Sequence, residues 1–337
     1  MAMGIVVDIL LALLGIAALL VAGYAWLYFH PTPLVRRMRG GDDAPDANLT
    51  YPEGYGAYAE RVAVHKDLAY PSQRASNAFD LYLPKDAGAG PLPAILWVHG
   101  GSFIAGDKAG IVNLATMLSA AGYAVLGMNY AVAPEAAYPA AVEQVLECLA
   151  HLPALAQQYP QVDARRVVLA GDSAGAQIAA QAALAATSAS YADAMGLQPA
   201  VDPAMLRGGM FGCGPMDLPA LRRTKGVVMR LLIGIWGHAY FGVTGWHRKL
   251  PGKLSALPNH VTASFPPTYL TDGNAGSFEM QNRRMGEALR TAGVPVIERY
   301  FSEDVGRIPH EYQFRMDTKE AWLSYEDMVR FLRRYAG

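Results

Sequence analysis

The sequence predicts an α/β protein with a mostly parallel central sheet and helices on both faces. Eight short apolar runs are typical of strands, and helical patterns separate most of the later runs. The composition agrees, because 52% of the 337 residues are hydrophobic and 17% are charged, which allows a large core. The predicted strands cover residues 61–65, 79–83, 94–98, 124–129, 167–170, 208–213, 268–271 and 296–300.

The most informative motif is residues 171–175, with the sequence GDSAG. It follows the apolar run 167–170 and precedes a helical pattern of small residues. A serine flanked by glycines two positions away on either side, between a strand and a helix, is typical of a nucleophile elbow. The turn is so sharp that side chains at Gly171 and Gly175 would clash. The motif therefore predicts Ser173 as a nucleophile held above the sheet.

A second motif, HGGSF at residues 99–103, follows the predicted strand 94–98 directly. A glycine pair after a strand lets backbone N–H groups point into a cavity, where they can stabilise a negative oxygen. A tight glycine turn without that role has the same local pattern. The elbow later in the chain favours the oxyanion-binding interpretation.

Together these motifs resemble the hormone-sensitive-lipase-like esterase group of the α/β-hydrolases. Further matching stretches are NYAVAPE at 129–135, YPAAV at 138–142 and PPT at 266–268. The resemblance covers about residues 60 to 335 and implies an acyl-ester hydrolase without a metal or other cofactor. It implies that the oxyanion donors are the N–H groups of Gly101, Ser102 and Ala174. Serine replaces the usual third glycine, which a backbone donor tolerates.

His310 is the predicted general base. It follows the last strand and comes after the nucleophile in the chain order nucleophile, acid, histidine that this architecture requires. A side chain with a pKa near neutrality can take the serine proton and return it to the leaving alcohol. The spacing of the remaining histidines predicts no metal site.

The acid is displaced from its usual position. An ungapped count from Pro266 places the acid of the family at Gly276, which cannot orient an imidazole. Asp272, at the end of a predicted strand, is the favoured candidate, and Glu279 in the next helix is the alternative. Either carboxylate also has a purely structural interpretation, as a turn residue or as a residue at a helix start.

The N-terminus carries 21 consecutive uncharged residues, 9–29, enough to cross a bilayer as a helix. Tyr24, Trp26 and Tyr28 lie where an aromatic belt would sit. A cleavable signal peptide is the alternative, with Gly23-Tyr24-Ala25 as a possible cleavage site. Against it, no Lys or Arg precedes the apolar run. The arginines at 36, 37 and 39 predict a cytoplasmic catalytic domain by the positive-inside rule.

The predicted organisation is an anchor at 1–31, a linker at 32–59 and a catalytic domain at 60–337. Within that domain, residues 221–260 form an insertion rich in basic and aromatic groups, which is expected to be a lid. This surface could also touch anionic lipid, or could simply be charged outside and apolar inside. Two cysteines, Cys148 and Cys213, fit small buried side chains better than a disulfide.

A net charge of −1 and the lack of a recognition motif argue against nucleic-acid binding. The sequence therefore predicts a membrane-anchored serine carboxylester hydrolase acting on a small or lipid-like ester. One alternative is a non-catalytic binding protein that kept the elbow and lost its acid. An amidase or peptidase on the same scaffold is another, because fold alone does not choose the substrate.

Overall fold

The computed structural model describes residues 2–39, 49–86, 88 and 90–337. It confirms the predicted α/β architecture, with one eight-stranded sheet whose members all overlap the predicted strands. The strands are β1 (Val62–Ala69), β2 (Ala78–Pro84), β3 (Leu92–Val98), β4 (Ala124–Met128), β5 (Val162–Asp172), β6 (Leu206–Gly212), β7 (Thr268–Thr271) and β8 (Val296–Arg299).

The strand order is β1-β2-β4-β3-β5-β6-β7-β8. The pairs β1/β2 and β2/β4 are antiparallel, and all later pairs are parallel. In register, Val98 pairs with Gly171, and Asp172 pairs with Gly212. The carboxyl ends of β3, β5, β6 and β7 therefore meet at one edge, where ligands of open α/β sheets bind.

Helices cover both faces of the sheet. Consecutive residues of β3 point to opposite faces, so Leu96 joins one buried cluster and Ile95 the other. The helices are α1 (Ala2–Phe29), α2 (Thr32–Met38), α3 (Tyr55–Glu60), α4 (Val112–Ala120), α5 (Ala140–Gln158), α6 (Ser173–Thr187), α7 (Ala189–Met195), α8 (Val227–Phe241), α9 (Leu250–Leu254), α10 (Glu279–Thr291) and α11 (Lys319–Tyr335). The first cluster holds apolar residues of α5, α6, α7 and α10, and the second holds those of α4 and α11.

The predicted insertion at 221–260 lies between β6 and β7 and contains α8 and α9. Its aromatic residues Tyr240, Phe241 and Trp246 are buried in a third cluster, together with Ile104 from the segment after β3. Gly237 makes this packing possible, because a Cβ there would lie 2.0 Å from Cε2 of Trp246. The insertion is thus packed against the segment that carries the predicted oxyanion donors.

Helix α1 is apolar over residues Ile5–Phe29, with a mean hydropathy of 2.9, and is long enough to cross a bilayer. An N-terminal signal sequence would have the same features. The last turns of α1 contact α8, where Tyr28 stacks on His238 with 4.6 Å between ring centroids.

The range predicted as a linker, 32–59, contains α2 and α3. Val35 of α2 is fully buried in the third cluster. Arg39 donates to the carbonyl oxygens of Ile104 at 2.6 Å and Ala133 at 2.8 Å. Residues 32–39 are therefore part of the folded body, because apolar burial and hydrogen bonds tie them to it. The Gly- and Asp-rich stretch at 40–48 lies outside the described residues.

Candidate active site

The turn between β5 and α6 has the geometry of a nucleophile elbow. Ser173 has a φ of 49°, in the left-handed region that non-glycine residues rarely adopt. A Cβ on Gly171 would lie 2.7 Å from the backbone of Gly175, and one on Gly175 would lie 2.1 Å from the carbonyl oxygen of Val98. Both glycines are required for this approach of α6 to the sheet. The hydroxyl of Ser173 lines a cavity above the strand ends.

His310 lies beside this serine, with Nε2 at 2.9 Å from the Ser173 Oγ. The two residues come together from positions 137 apart in the chain. Burial lowers the pKa of His310 to about 4 because it disfavours the imidazolium form. The imidazole is therefore neutral at physiological pH and can accept the serine proton.

The other ring nitrogen of His310 contacts a second serine. Nδ1 lies 2.6 Å from the Oγ of Ser277. Ser277 in turn donates its hydroxyl hydrogen to the Oδ1 of Asp272. A hydroxyl has one hydrogen, so Ser277 can only accept from His310, and Nδ1 must carry the proton. This tautomer leaves the Nε2 lone pair facing Ser173.

Asp272 is fully buried at the end of β7. It accepts a hydrogen bond from the backbone N–H of Phe278 at 3.1 Å and from the Asn282 side chain at 2.8 Å. Burial raises the pKa of Asp272 to about 6, although hydrogen bonds from Ser277, Cys213 and the backbone N–H groups of Gly273 and Phe278 oppose the shift. The alternative acid, Glu279, instead pairs with Arg283 at 2.7 Å.

Sequence reasoning missed Ser277, and the loop geometry explains its position. Gly276 has a φ of 68°, which turns the chain immediately before Ser277. Asn274 binds the opposite loop by donating to the Gly306 carbonyl at 2.8 Å and accepting from the Ile308 N–H at 2.8 Å. The loop that carries the acid is thereby joined to the loop that carries His310. A serine beside the glycine at the usual acid position was the available signal.

The predicted oxyanion segment is a tight turn of left-handed residues. Gly101, Ser102 and Phe103 have φ values of 125°, 56° and 66°. The Gly101 carbonyl accepts from the Ala105 N–H at 2.9 Å, and a Cβ on Gly101 would lie 2.0 Å from the Ala105 carbonyl oxygen. Ser102 and Ala174 line the same cavity as Ser173. The role of the three amides as oxyanion donors stays a prediction.

Asp172, immediately before the nucleophile, joins the elbow to this turn. Its buried carboxylate accepts from the indole N–H of Trp97 at 2.7 Å and the Gly100 N–H at 2.8 Å. His99 is stacked on Tyr130 with 4.5 Å between ring centroids, and its Nδ1 lies 2.6 Å from the Gly100 carbonyl oxygen. Asp172 and His99 therefore hold the turn in place next to Ser173.

Cys213 lies beside the acid, and its sulfur lies within 4.8 Å of ligand-type atoms of Asp272 and His310. Thiol, carboxylate and imidazole groups are also zinc ligands. Here both nitrogens of His310 already have hydroxyl partners, Ser173 and Ser277. These contacts favour proton transfer over metal binding. Both cysteines are free and buried.

The cavity above Ser173 has a volume of about 930 Å³ and is mostly apolar. One wall is α8, which contributes Met229, Ile233, Trp236 and Tyr240. The opposite wall is the start of α10 and the loop that precedes it. A cavity of this size and lining can enclose an acyl chain next to the nucleophile.

Comparison with known proteins decides the family. A family model described as alpha/beta hydrolase fold matches residues 95–306, which is more than half of the chain. The chain belongs to this family. The resemblance predicted from the HGGSF and GDSAG motifs is thereby confirmed.

Solved structures of α/β-hydrolase esterases share the fold with this chain. Esterase B from Lactobacillus rhamnosis is 19% identical with a TM-score of 0.71, over 93% of this chain and 94% of that chain. One of two fungal esterases from Rhizomucor miehei is 20% identical with a TM-score of 0.67, over 86% of each chain. A bacterial heroin esterase is 19% identical with a TM-score of 0.65, over 87% of this chain and 94% of that chain.

Proposed function

We propose that this protein is a membrane-anchored carboxylic ester hydrolase with Ser173 as nucleophile, His310 as general base and Asp272 acting on His310 through Ser277. The observation that carries the proposal is the continuous hydrogen-bonded chain from Ser173 to Asp272. This series of hydrogen bonds sets the histidine tautomer that a serine nucleophile needs. The esterases that share the fold support ester hydrolysis over the amidase and peptidase alternatives.

In the proposed reaction, the Ser173 oxygen attacks the ester carbonyl carbon while His310 Nε2 takes the hydroxyl proton. The N–H groups of Gly101, Ser102 and Ala174 stabilise the oxyanion of the tetrahedral intermediate. The intermediate collapses, the bond to the alcohol oxygen breaks, and His310 gives its proton to the departing alcohol. Water, deprotonated by His310, then attacks the carbonyl carbon of the acyl-enzyme. The bond to the Ser173 oxygen breaks, Ser173 regains its proton from His310, and the carboxylic acid product leaves.

The relay through Ser277 answers the alternative of a binding protein that has lost its acid. Gly276 stands where the family has its acid, yet a carboxylate still reaches the histidine through one hydroxyl. The imidazolium formed during the attack donates its Nδ1–H to the Ser277 oxygen. The hydroxyl of Ser277 is in turn polarised by Asp272. The three side chains therefore favour catalysis over binding alone.

Retention of α1 as a membrane anchor is part of the proposal. Cleavage near Trp26 would remove Tyr24, which lies close to Gly234 of α8. It would also cut the helix two residues before Tyr28, which stacks on His238. Because Arg36, Arg37 and Arg39 follow the span, we place the catalytic domain on the cytoplasmic side. The insertion 221–260, which forms a cavity wall, is proposed to be the lid.

The test uses the full-length chain with p-nitrophenyl esters of graded acyl length and a fluorophosphonate probe. Ser173→Ala is expected to abolish labelling and to lower kcat/KM by about 10⁴-fold or more. Ser190→Ala, which changes an exposed serine of α7, serves as the matched control and should keep both. Labelling that survives in Ser173→Ala would refute the assignment of the nucleophile.

A further inference from the structure

The first turns of α8 expose an apolar surface that the ester-hydrolase chemistry does not use. Val227 and Val228 are 64% and 71% exposed, and Met229 and Leu231 follow them with large exposed areas. The rest of α8 buries its apolar side chains in the body. A contiguous apolar patch of this kind marks a surface that contacts a partner or a membrane.

The contacts between α1 and α8 fix where this patch lies. Tyr24 of α1 lies at Gly234 of α8, and Tyr28, one turn later, lies at His238, also one turn later. The two helices therefore pass this contact in the same direction. Residues 227–231 precede the contact on α8, and most of the exposed apolar residues of the span precede it on α1. The patch therefore lies on the same side of the contact as the apolar span.

Charge around the patch fits an anionic lipid surface. Between Asp217 and Asp272 the sequence contains no Asp or Glu. It contains seven cations there: Arg222, Arg223, Lys225, Arg230, Arg248, Lys249 and Lys253. Arg230 is exposed in the apolar turn of α8 itself. Apolar side chains flanked by arginines whose long stems reach the headgroups are typical of interfacial helices.

The patch adjoins the entrance to the cavity. Met229 is both 43% exposed and part of the cavity lining, and Ile233 and Trp236 continue the wall inward. Met280 of α10, on the other wall, is 72% exposed. An apolar path therefore leads from the outer surface of α8 to the space beside Ser173.

We propose that the first turns of α8, residues 227–231, lie in the bilayer that holds α1, against anionic lipid, and that the ester substrate enters the cavity from this bilayer. The proposal rests on the ester-hydrolase function, since it names the source of the substrate for the same site. Continuity with α1 selects the membrane as the occupant of the patch. An acyl ester dissolved in the lipid phase can reach Ser173 without crossing water.

The position of α8 can be measured without reference to activity. The full-length chain with Val228→Cys carries an environment-sensitive fluorophore, which reacts there because Cys148 and Cys213 are buried. In vesicles that contain anionic lipid with brominated acyl chains, its fluorescence should be quenched. Val64→Cys, a 41% exposed position on the opposite edge strand β1, is the matched control and should not be quenched.

Equal fluorescence of the Val228 label with and without brominated lipid would overturn the proposal. Quenching of equal strength in purely zwitterionic vesicles would overturn the assignment of anionic lipid. Quenching that weakens when anionic lipid is removed supports both parts.

A second measurement tests substrate entry. The double variant Val227→Glu/Val228→Glu should lower the turnover of a long-chain ester dissolved in vesicles by about tenfold or more, because charge is costly in the bilayer. Its turnover of a soluble short-chain ester should equal that of the parent. The control Val64→Glu should turn over both the vesicle-dissolved ester and the soluble ester at the parental rate. Parental rates of the double variant on both substrates would refute entry from the bilayer. A parent that hydrolyses neither ester would instead refute the proposed function, while the quenching result would still locate α8.

Discussion

The nucleophile elbow and the acid loop place their functional groups in different ways. The elbow is five consecutive residues, and its shape depends on two glycines. A Cβ on Gly175 would lie only 2.1 Å from the Val98 carbonyl oxygen at the end of β3. The acid loop, residues 272–278, brings Asp272 to His310 only through Ser277 and is held by contacts to a loop more than 30 residues later.

The comparison teaches that the two halves of the site tolerate change differently. At the elbow, the backbone of α6 is in contact with the end of β3, so any added atom meets backbone that cannot move. In the acid loop, side-chain hydrogen bonds do the positioning, and one hydroxyl can stand between acid and histidine. Substitutions in the elbow should therefore lower the stability of the fold, whereas substitutions in the acid loop should lower catalytic activity.

The largest effect is expected from Gly175→Ala. Its Cβ would lie 2.1 Å from the Val98 carbonyl oxygen and 2.3 Å from that of His99, both backbone atoms. We expect a loss of stability above the usual cost of about 1–3 kcal/mol for overpacking, together with loss of activity. Thermal melts of the purified chain would measure it.

Gly56→Ala in α3 is the control, because no atom lies within 4 Å of its added Cβ. It should match or exceed the stability of the parent, since alanine favours helix. Parental stability in Gly175→Ala would contradict the rigid-elbow interpretation.

Next in size are substitutions in the acid loop. Asp272→Asn should lower kcat by about 10²- to 10⁴-fold, because an amide can turn the Ser277 hydroxyl toward His310 and favour the wrong tautomer. Ser277→Ala should lower kcat by about 10- to 100-fold, and Ser277→Thr, which keeps the hydroxyl, should recover part of that loss. Steady-state kinetics with matched melts would separate catalysis from folding.

Glu279→Gln is the control for charge in this loop, because Glu279 pairs with Arg283 on the helix surface. It should change kcat less than twofold. If Glu279→Gln abolished turnover while Asp272→Asn preserved it, the acid would be Glu279 and the relay through Ser277 would be wrong.

The smallest effect is a shift of the pH profile. The proposed mechanism requires ionised Asp272 and neutral His310, whose pKa values are about 6 and about 4. As pH falls through 6, Asp272 gains a proton, loses the negative charge that stabilises the imidazolium and can itself donate to Ser277, so kcat/KM should fall. Ser277→Ala removes a hydrogen bond that lowers the pKa of Asp272, so its acid limb should move to higher pH.

Asp272→Asn removes the carboxyl group that titrates near 6. Its kcat/KM should therefore fall only near pH 4, where His310 titrates. The measurement is kcat/KM for a soluble ester across the acid range. An inflection near 6 that persists in Asp272→Asn would show that another group controls the profile.

Much of this protein was predictable from local sequence. All eight strands overlap their predicted ranges, because period-two burial and apolar runs are local properties. The pentapeptide at 171–175 predicted the elbow, since the steric need for glycine acts within a few residues. The apolar span at the N-terminus was equally visible, because its length alone matches a bilayer.

Only the tertiary structure decided two features. One is the route from Asp272 through Ser277 to His310, and the other is the packing of α1 against α8. Ser277 and His310 are 33 residues apart, and their contact depends on Asn274 joining two loops. Likewise, Tyr28 and His238 meet across 210 positions of sequence. Sequence patterns report periodicity and local sterics, whereas these contacts depend on how separate elements pack. The serine beside Gly276 was visible in the sequence, but its place between Asp272 and His310 depends on distances of a few ångströms in the folded loop.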